Sequence, residues 1–321
     1  MSKKETPRSL YLKNLCKQFW EYKDNEFADK TEYFDGDRRE KQGPPVFKKE
    51  YLDRNIICME SENRKALINK IPPRKRHRWF GSMKSSQALA QSFFANMEIY
   101  NNLCILSDLA DGDGIPLFEN LNWKSNNFRM ELEKEVNSLG EPRPTSIDVF
   151  FDDGEYRIAI ECKLSEDNIG FCSRPGLKQS ESNYCDGSYK RQKGRKNRCS
   201  LSEENIKYWD FIPEIFSWKE QNDLTPCPLY KTYQLSRNIL SVCVKDKKCS
   251  VENGHVIMIY DENNPSFQSK GSGMDSFRET TKSLNRNTLL RKCSWQRILG
   301  HIRGKGILPQ LTRKIGQKYG F

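Results

Sequence analysis

Two short apolar runs around an acidic turn form the clearest hydrophobic pattern in this 321-residue chain. Residues 147–151 and 156–160 are mostly apolar, and residues 152–154 between them read Asp-Asp-Gly. An Asp-Gly step between two such runs is typical of a β-hairpin. The pattern therefore predicts a pair of antiparallel strands in the middle of the chain.

Three charged side chains interrupt this apolar hairpin. Asp148 lies in the first run, and Glu161 and Lys163 close the second. Alternate residues of a strand share a face, so Glu161 and Lys163 point together while Cys162 points away. A carboxylate among apolar neighbours needs a partner or a metal ion, because desolvating it alone is costly. If Asp148 faces the same side, two acids and an ammonium converge. That set suits Mg²⁺ or Mn²⁺, with Lys163 orienting or deprotonating a water.

This arrangement resembles the PD-(D/E)XK nuclease superfamily, whose restriction-endonuclease-like α/β fold has a mixed central β-sheet flanked by helices. The match is Asp148, twelve intervening residues and then Glu161-Cys162-Lys163; Pro144 stands four residues before Asp148, where the superfamily often has Pro-Asp. The resemblance implies metal ligation by Asp148, Glu161 and the backbone carbonyl of Cys162, with water activation by Lys163. The alternative is a surface hairpin whose Glu-Lys pair contributes little stability.

Helical periodicity predicts further elements around the hairpin. Helices are expected at residues 9–22, 85–98, 126–137, 202–218 and 230–244, and a buried strand at 255–260. In the superfamily a helix before the sheet often offers a Glu or Gln to the active site, which makes Gln87 and Glu98 candidates. Neither matches a fixed motif, so exposed polar positions are the favoured interpretation of both.

The stretch after Lys163 loses its periodicity for more than thirty residues and contains Cys172, Cys185 and Cys199, while Cys227 follows in a later turn. Four converging thiolates would form a closed tetrahedral site that replaces a missing hydrophobic core. Zinc is the leading choice, an iron-sulfur cluster is the rival, and unpaired thiols are the third interpretation. Six basic residues lie between the second and third cysteine, as in a DNA-gripping loop: Lys190, Arg191, Lys193, Arg195, Lys196 and Arg198.

A second resemblance lies in the helix predicted at 230–244. RecB-like nucleases carry Gln-X-X-X-Tyr on the helix that follows the Glu-X-Lys strand, and Gln234-Leu-Ser-Arg-Asn238 resembles that motif with Asn in place of Tyr. The resemblance implies that Gln234 and Arg237 contact phosphates or bases; an ordinary polar helix face is the alternative. Together with the cysteines, residues 77–262 resemble a bacterial group of restriction-endonuclease-like proteins with a cysteine cluster.

Charge adds a nucleic-acid partner to this picture. The net charge is +11, and from residue 276 to the end there are eleven basic side chains against one acidic. A basic surface suits a phosphate backbone, although RNA, an anionic membrane or solubility alone would give the same count. The first residues lack the apolar segment of a signal peptide, and no apolar run reaches membrane-spanning length, so a cytoplasmic protein without a membrane partner is expected. Walker and dinucleotide-binding glycine motifs are absent, which argues against an ATP motor.

The sequence thus predicts three segments. Residues 1–76 are an N-terminal helix and surface arm, 77–262 a nuclease core with a cysteine-rich insertion at 168–228, and 263–321 a basic helical extension. The predicted function is metal-dependent hydrolysis of DNA phosphodiester bonds, and the resemblance suggests restriction or phage defence. The alternative is a catalytically inert, zinc-stabilised nucleic-acid-binding or scaffold protein. A homodimer or a partner protein is compatible with both.

Overall fold

The computed structural model describes residues 5–39, 41, 43–142, 144–181, 183–192 and 194–321. Lys193 of the predicted basic loop and the first four residues lie outside this described part. Its helices are α1 (Pro7–Glu26), α2 (Arg64–Asn69), α3 (Ser86–Ile99), α4 (Ser200–Glu203), α5 (Tyr208–Ile215), α6 (Leu229–Cys243), α7 (Ser272–Ser283), α8 (Trp295–Gly304) and α9 (Pro309–Tyr319). Its strands are β1 (Arg129–Val136), β2 (Thr145–Asp152), β3 (Arg157–Cys162), β4 (Val244–Lys245), β5 (Lys248–Cys249), β6 (Gly254–Tyr260) and β7 (Leu290–Ser294).

Five of these strands form one mixed sheet in the order β1-β2-β3-β6-β7. The β1-β2 and β2-β3 pairs are antiparallel, whereas β3-β6 and β6-β7 are parallel. Strands β3 and β6 lie inside the sheet with helices on both faces, and every residue of β3 is buried. Such burial on both faces explains why their sequences read as continuous apolar runs.

Helices cover each face of the sheet and create two hydrophobic clusters. One cluster joins the sheet to α1, α3, α8 and α9, and the other joins it to α5, α6 and α7. Alternation along β3 divides the strand between them, with Ile158 and Ile160 in the first and Ala159 in the second. None of the described helices combines the length and the apolar character that a membrane span requires.

The ends of the chain meet on the first face. The Phe19 ring of α1 packs edge-on against Tyr319 of α9, with ring centroids 5.8 Å apart. Trp20 Nε1 donates a hydrogen bond to the Gly43 carbonyl at 2.9 Å, which fixes the following arm against the same helix. The division of the chain into three segments stays a prediction, but residues from its first and last segments share one hydrophobic cluster with the sheet.

Several predicted elements are present as expected. The apolar runs form the antiparallel hairpin β2-β3, and residues 254–260 form the inner strand β6. Helix α3 begins after Ser85, whose hydroxyl accepts a hydrogen bond from the Ala88 N–H at 3.1 Å, as an N-cap residue does. Helix α6 matches the helix predicted at 230–244 to within one residue. The described residues thus form a mixed α/β fold whose sheet is flanked by helices, compatible with a restriction-endonuclease-like fold.

Other elements differ from the prediction. Residues 126–137 were expected to be helical, but β1 occupies 129–136, because pairing with β2 and the alternating burial of Met130 and Leu132 outweigh helix propensity. The helix predicted at 202–218 is two short helices, α4 and α5. The C-terminal tail contains strand β7 besides helices, because its short apolar segment completes the sheet beside β6.

Candidate active site

The hairpin register places the first predicted acid next to the second. Val149 pairs with Ile160 at the end of the β2-β3 ladder, and Asp148 and Glu161 are the next residues of the two strands beyond that pair. Asp148 Oδ2 accepts a hydrogen bond from the Cys162 N–H at 2.7 Å. The Asp148 carboxyl group therefore lies against the backbone of the strand that carries Glu161, and the Glu161 carboxylate is close enough to raise its pKa.

Glu161 is the centre of a buried polar network. Its Oε1 lies 2.8 Å from Lys163 Nζ, and the two side chains are 3% and 8% exposed. Two amides of α6 donate to the same carboxylate, Gln234 Nε2 to Oε1 at 2.8 Å and Asn238 Nδ2 to Oε2 at 2.9 Å. Cys162, between the two charged residues, packs into the cluster on the opposite face. Helix α6 thus holds the Glu161 carboxylate in one orientation.

The site concentrates negative charge. Burial, together with the Glu161 and Glu133 carboxylates, raises the pKa of Asp148. Burial favours the neutral amine of Lys163, but Glu161, Glu166 and Asp148 outweigh it, and the pKa of Lys163 is raised. Lys163 is therefore an ammonium ion that only partly compensates the surrounding acids. A further cation would relieve the remaining repulsion.

Glu133 is an acid of this site that the sequence reading missed. It lies on β1 between Leu132 and Lys134, whose partners Val149 and Ile147 flank Asp148 on β2. Its φ of 51° is uncommon for a residue other than glycine. Such conformations cost about 1–3 kcal/mol and cluster at functional sites. The side chain is 6% exposed and accepts a hydrogen bond from Ser146 Oγ at 2.5 Å, and burial raises its pKa. A strand at residues 129–136 would have placed Glu133 beside the hairpin, but the sequence pattern there predicts a helix.

Of the two candidates on α3, Gln87 lies close to the candidate site and Glu98 lies away from it. Gln87 is 5% exposed and hydrogen-bonds to the Glu133 side chain, which makes it a buried neighbour of the site rather than the exposed residue that was expected. Its amide also donates to the Lys75 carbonyl at 3.1 Å. Glu98, eleven residues further along the helix, pairs with Lys70 at 2.5 Å. That spacing separates Glu98 from Gln87 by about 16 Å along the axis.

The two substrate-binding candidates also differ. Gln234 lies within the network, where its Oε1 is 3.4 Å from Lys163 Nζ. Arg237 is turned toward a neighbouring group of side chains: its Nε is 3.1 Å from Glu141 Oε1, and its guanidinium lies 5.1 Å from the centre of the Tyr233 ring. Asn238, the residue at the Tyr position of the motif, contacts Glu161 directly, and its own Oδ1 is buried without a hydrogen-bond partner among the described residues.

The four predicted cysteine ligands surround one small cavity. Cys172, Cys185, Cys199 and Cys227 all line a space of about 20 Å³. Burial raises the pKa of Cys172 to about 11 and also raises the pKa of Cys199 and Cys227. Backbone N–H groups within three residues hydrogen-bond to these three sulfurs, which favours the thiolate form. Residues separated by up to 55 positions in sequence therefore line the same small cavity.

In the described part of the chain, no three His, Cys, Asp or Glu side chains are arranged as a ready metal site. The roles assigned to the acids and the cysteines as metal ligands therefore stay predictions. The loop between Cys185 and Cys199 is held partly by ion pairs, with Lys190 Nζ 2.9 Å from Asp186 and Arg198 Nε 2.7 Å from Asp223. It lies beside the cysteine cavity and exposes Arg191 and Lys196.

Comparison with known proteins gives one match. A family model described as "Restriction Endonuclease associating with ARP" matches residues 16–320. No curated protein and no solved structure matches the chain significantly. The matched range includes the hairpin, the cysteine loop, α6 and the C-terminal elements, so it covers the whole of the candidate site.

Proposed function

The chain belongs to the family of restriction endonucleases associating with ARP, and from this premise we propose that it is a metal-dependent DNA nuclease of the PD-(D/E)XK type. The substrate is the phosphodiester backbone of DNA. The biological role that fits such an activity is restriction or defence against phage. The family description names ARP as an associate, and a complex with such a partner, or a homodimer, belongs to the proposal.

The observation that carries the proposal is the cluster of Asp148, Glu161 and Lys163 on two adjacent strands. Acids this close repel one another, and both burial and mutual repulsion disfavour their charged forms. A purely structural role would be served better by apolar residues, since buried charges rarely add net stability. Carboxylate oxygens are the ligands that Mg²⁺ and Mn²⁺ prefer.

Each residue has a distinct role in this proposal. Asp148 and Glu161 would hold the metal ion with the backbone carbonyl of Cys162, whose N–H already points toward Asp148. N–H and C=O of one strand residue point to the same edge, so that carbonyl faces Asp148 as well. The bound metal would stabilise negative charge on the phosphate and lower the pKa of a water. Lys163, held as an ammonium, orients the attacking water and adds positive charge. Gln234 and Asn238 keep the Glu161 carboxylate in place.

The test is cleavage of plasmid and linear DNA with Mg²⁺ or Mn²⁺ by the wild type, Asp148→Asn and Lys163→Ala. Wild-type protein should cut, and removal of metal by EDTA should stop it. Each substitution should lower the rate by about 10²–10⁴-fold, the usual contribution of one acid-base or charge-stabilising group. Glu155→Ala is the matched control, because Glu155 is an exposed acid in the turn of the same hairpin.

Two results would contradict the proposal in different ways. Equal cleavage by the wild type and both variants would remove Asp148 and Lys163 from the active site and end the proposed mechanism. Tight DNA binding without cleavage under any metal would instead favour an inert, zinc-stabilised binding or scaffold protein. Circular dichroism of each variant distinguishes loss of chemistry from loss of folding.

We also propose that the cysteine cavity holds a structural zinc ion. A volume of about 20 Å³ has room for one ion or one water-sized particle, which favours a single zinc over an iron-sulfur cluster. Cys172, Cys185, Cys199 and Cys227 would be the ligands. The ion would tie the long loop after β3 to the start of α6, and the basic side chains of that loop would then contact the DNA backbone.

A further inference from the structure

A cavity of about 380 Å³ lies beside the candidate active site. Its walls come from the N-terminal arm at Arg38 and residues 44–46, from residues 77–86, and from Ser165 and Glu166 just after β3. Its volume is at the lower end of the range for small-ligand sites, about 300–1,000 Å³. The space is therefore suited to one nucleotide rather than to a larger ligand.

The walls of this cavity are tied together by backbone hydrogen bonds. The Phe47 N–H donates to the Gly81 carbonyl at 2.8 Å, and the Met83 N–H donates to the Pro45 carbonyl at 3.0 Å. Gly81 is required at this approach, because a Cβ there would lie 2.8 Å from the Phe47 carbonyl oxygen. The cavity walls are thus held in place by hydrogen bonds between backbone segments.

Trp79 lines the cavity and is exposed to solvent, although the backbone around it is held by hydrogen bonds. Its side chain is 53% exposed, which is more than any other large apolar side chain among the described residues. The Trp79 N–H donates to His77 Nδ1 at 3.0 Å, and His77 Nε2 is 3.0 Å from Ser85 Oγ, so the backbone beneath the indole is held. The Arg78 guanidinium lies 4.7 Å from the centre of the indole. An exposed indole on an ordered backbone, with a guanidinium group close to the ring, is a surface on which a nucleobase can stack.

The surrounding charge matches a nucleic acid. Residues 74–84 contain five Lys and Arg side chains and no acid. Lys84 lines the cavity, and its ammonium forms no ion pair with a described residue. The Glu166 carboxylate keeps lone pairs that can accept from a base edge, and the Ser86 hydroxyl, which donates to Glu166, can still accept a hydrogen bond. The cavity therefore combines a stacking surface, a free cation and polar groups.

The cavity is linked to the candidate active site through Glu166 and α3. Glu166 Oε1 accepts from Ser86 Oγ at 2.8 Å, and Oε2 accepts from the Leu164 N–H at 2.6 Å, next to Lys163. Three residues of extended chain span at most about 11 Å, so Glu166 lies within that distance of Lys163 along the backbone. Stacked DNA advances about 3.4 Å per nucleotide along one strand. The cavity is therefore within about three nucleotides of a phosphate bound at Lys163.

We propose that this cavity receives one unpaired nucleobase of the DNA substrate, stacked on Trp79, with Lys84 contacting the adjoining phosphate. The inference rests on the proposed nuclease function and adds a substrate class to it, namely DNA with a single-stranded or extruded nucleotide near the scissile bond. A base inside a duplex cannot reach the indole without leaving the stack, so fully paired DNA is the poorer ligand.

The test is equilibrium binding without divalent metal, so that it does not depend on cleavage. Fluorescence anisotropy is measured with a labelled single-stranded 12-mer and with the matching duplex for the wild type, W79A, W79F and K84Q. Base stacking on an aromatic residue contributes about 1–3 kcal/mol, so W79A should weaken single-strand binding by roughly 5–150-fold while W79F retains most of it. K84Q should weaken both DNAs alike and reduce the salt dependence.

A 2-aminopurine base in the single strand supplies a second readout, because its fluorescence is quenched by stacking. Quenching is expected with the wild type and lost with W79A. The controls are I115A, an apolar side chain with 44% exposure elsewhere, and K248Q on the exposed β4-β5 hairpin. Single-strand affinity of W79A within twofold of the wild type, or an equal loss for the duplex, would overturn the proposal. Failure of the nuclease function would appear separately, as absence of metal-dependent cleavage.

Discussion

The orientation of the Glu161 carboxylate is set by three polar contacts with neighbouring side chains. Both carboxylate oxygens are hydrogen-bonded by amides of α6, and one also contacts the Lys163 ammonium. Hydrogen bonds to a charged group contribute about 1.5–3 kcal/mol each, which is enough to select one rotamer in a buried position. We therefore propose Asn238 as a positioning residue for Glu161, whereas the motif in the sequence pointed to Gln234 and Arg237.

Asn238→Ala should lower the rate of DNA cleavage by about tenfold or more, because one fixed orientation of the Glu161 carboxylate is lost. If Asn238 positions a metal ligand, the Mg²⁺ concentration for half-maximal cleavage should rise as well, which a purely structural role would not cause. Ser241→Ala is the control, since Ser241 lies on the same helix and its hydroxyl donates to the Arg237 carbonyl at 2.9 Å rather than to Glu161. Unchanged Mg²⁺ dependence in Asn238→Ala would contradict this role.

At the scale of elements, the described residues between β3 and α4 form no helix or strand longer than one short turn. Loops of this length in a compact domain need another source of order. Backbone hydrogen bonds attach the segment to the start of α6: the Cys172 N–H donates to the Tyr230 carbonyl at 2.9 Å, and the Cys227 N–H donates to the Gly187 carbonyl at 2.7 Å. The same helix α6 carries Gln234 and Asn238 at the candidate active site, so the loop and the candidate site are connected through one helix.

Purified protein should contain about one zinc ion per chain, measured by elemental analysis. Cys227→Ser should lose the metal and unfold at a lower temperature, because metal binding supplies part of the folding free energy. Cys104→Ser, which changes an exposed cysteine away from the cavity, should keep both metal content and stability. Wild-type protein that binds neither zinc nor iron after preparation with each metal would contradict the proposed site.

At the scale of the whole molecule, a buried lysine of the last helix, α9, hydrogen-bonds to the N-terminal segment. Lys318 of α9 is 1% exposed, and its Nζ donates to the backbone and side-chain carbonyls of Asn55 at 2.6 and 2.8 Å. Asn55 in turn donates to the carbonyls of Phe80 and Ser82, at the wall of the nucleotide-sized cavity. Burial lowers the pKa of Lys318 to about 7.

The stability of the protein should therefore rise with pH between about 7 and 10. In this window Lys318 is protonated in the unfolded chain, where its pKa is near 10.4, but is largely neutral in the folded chain. Because the unfolded state binds more protons, the free energy of unfolding increases by up to about 1.4 kcal/mol per pH unit. Urea denaturation at several pH values should give a smaller slope for Lys318→Met. Lys314→Met, on the same helix but paired with Glu26, should keep the wild-type slope. Identical slopes in all three proteins would contradict the expectation.

Local patterns in the sequence determined the hairpin, the inner strand β6, the capped helix α3 and helix α6. Each of these is set by features within about fifteen residues: alternation, an Asp-Gly turn, a Ser cap or a helical apolar stripe. The same short range was enough to predict that Glu161 and Lys163 share a face and that Asp148 opposes them, because strand alternation and a tight turn fix the register.

Only the tertiary structure decided which distant residues join that site. Glu133 became a strand residue through pairing with β2, and β7 became a strand through pairing with β6, which no local propensity specifies. The turn of Arg237 toward Glu141 and of Asn238 toward Glu161 depends on how α6 lies across the sheet. The cavity lined by four cysteines and the cavity at Trp79 also depend on contacts between segments far apart in the chain. Hydrophobic periodicity reports only local structure, so it does not predict such contacts.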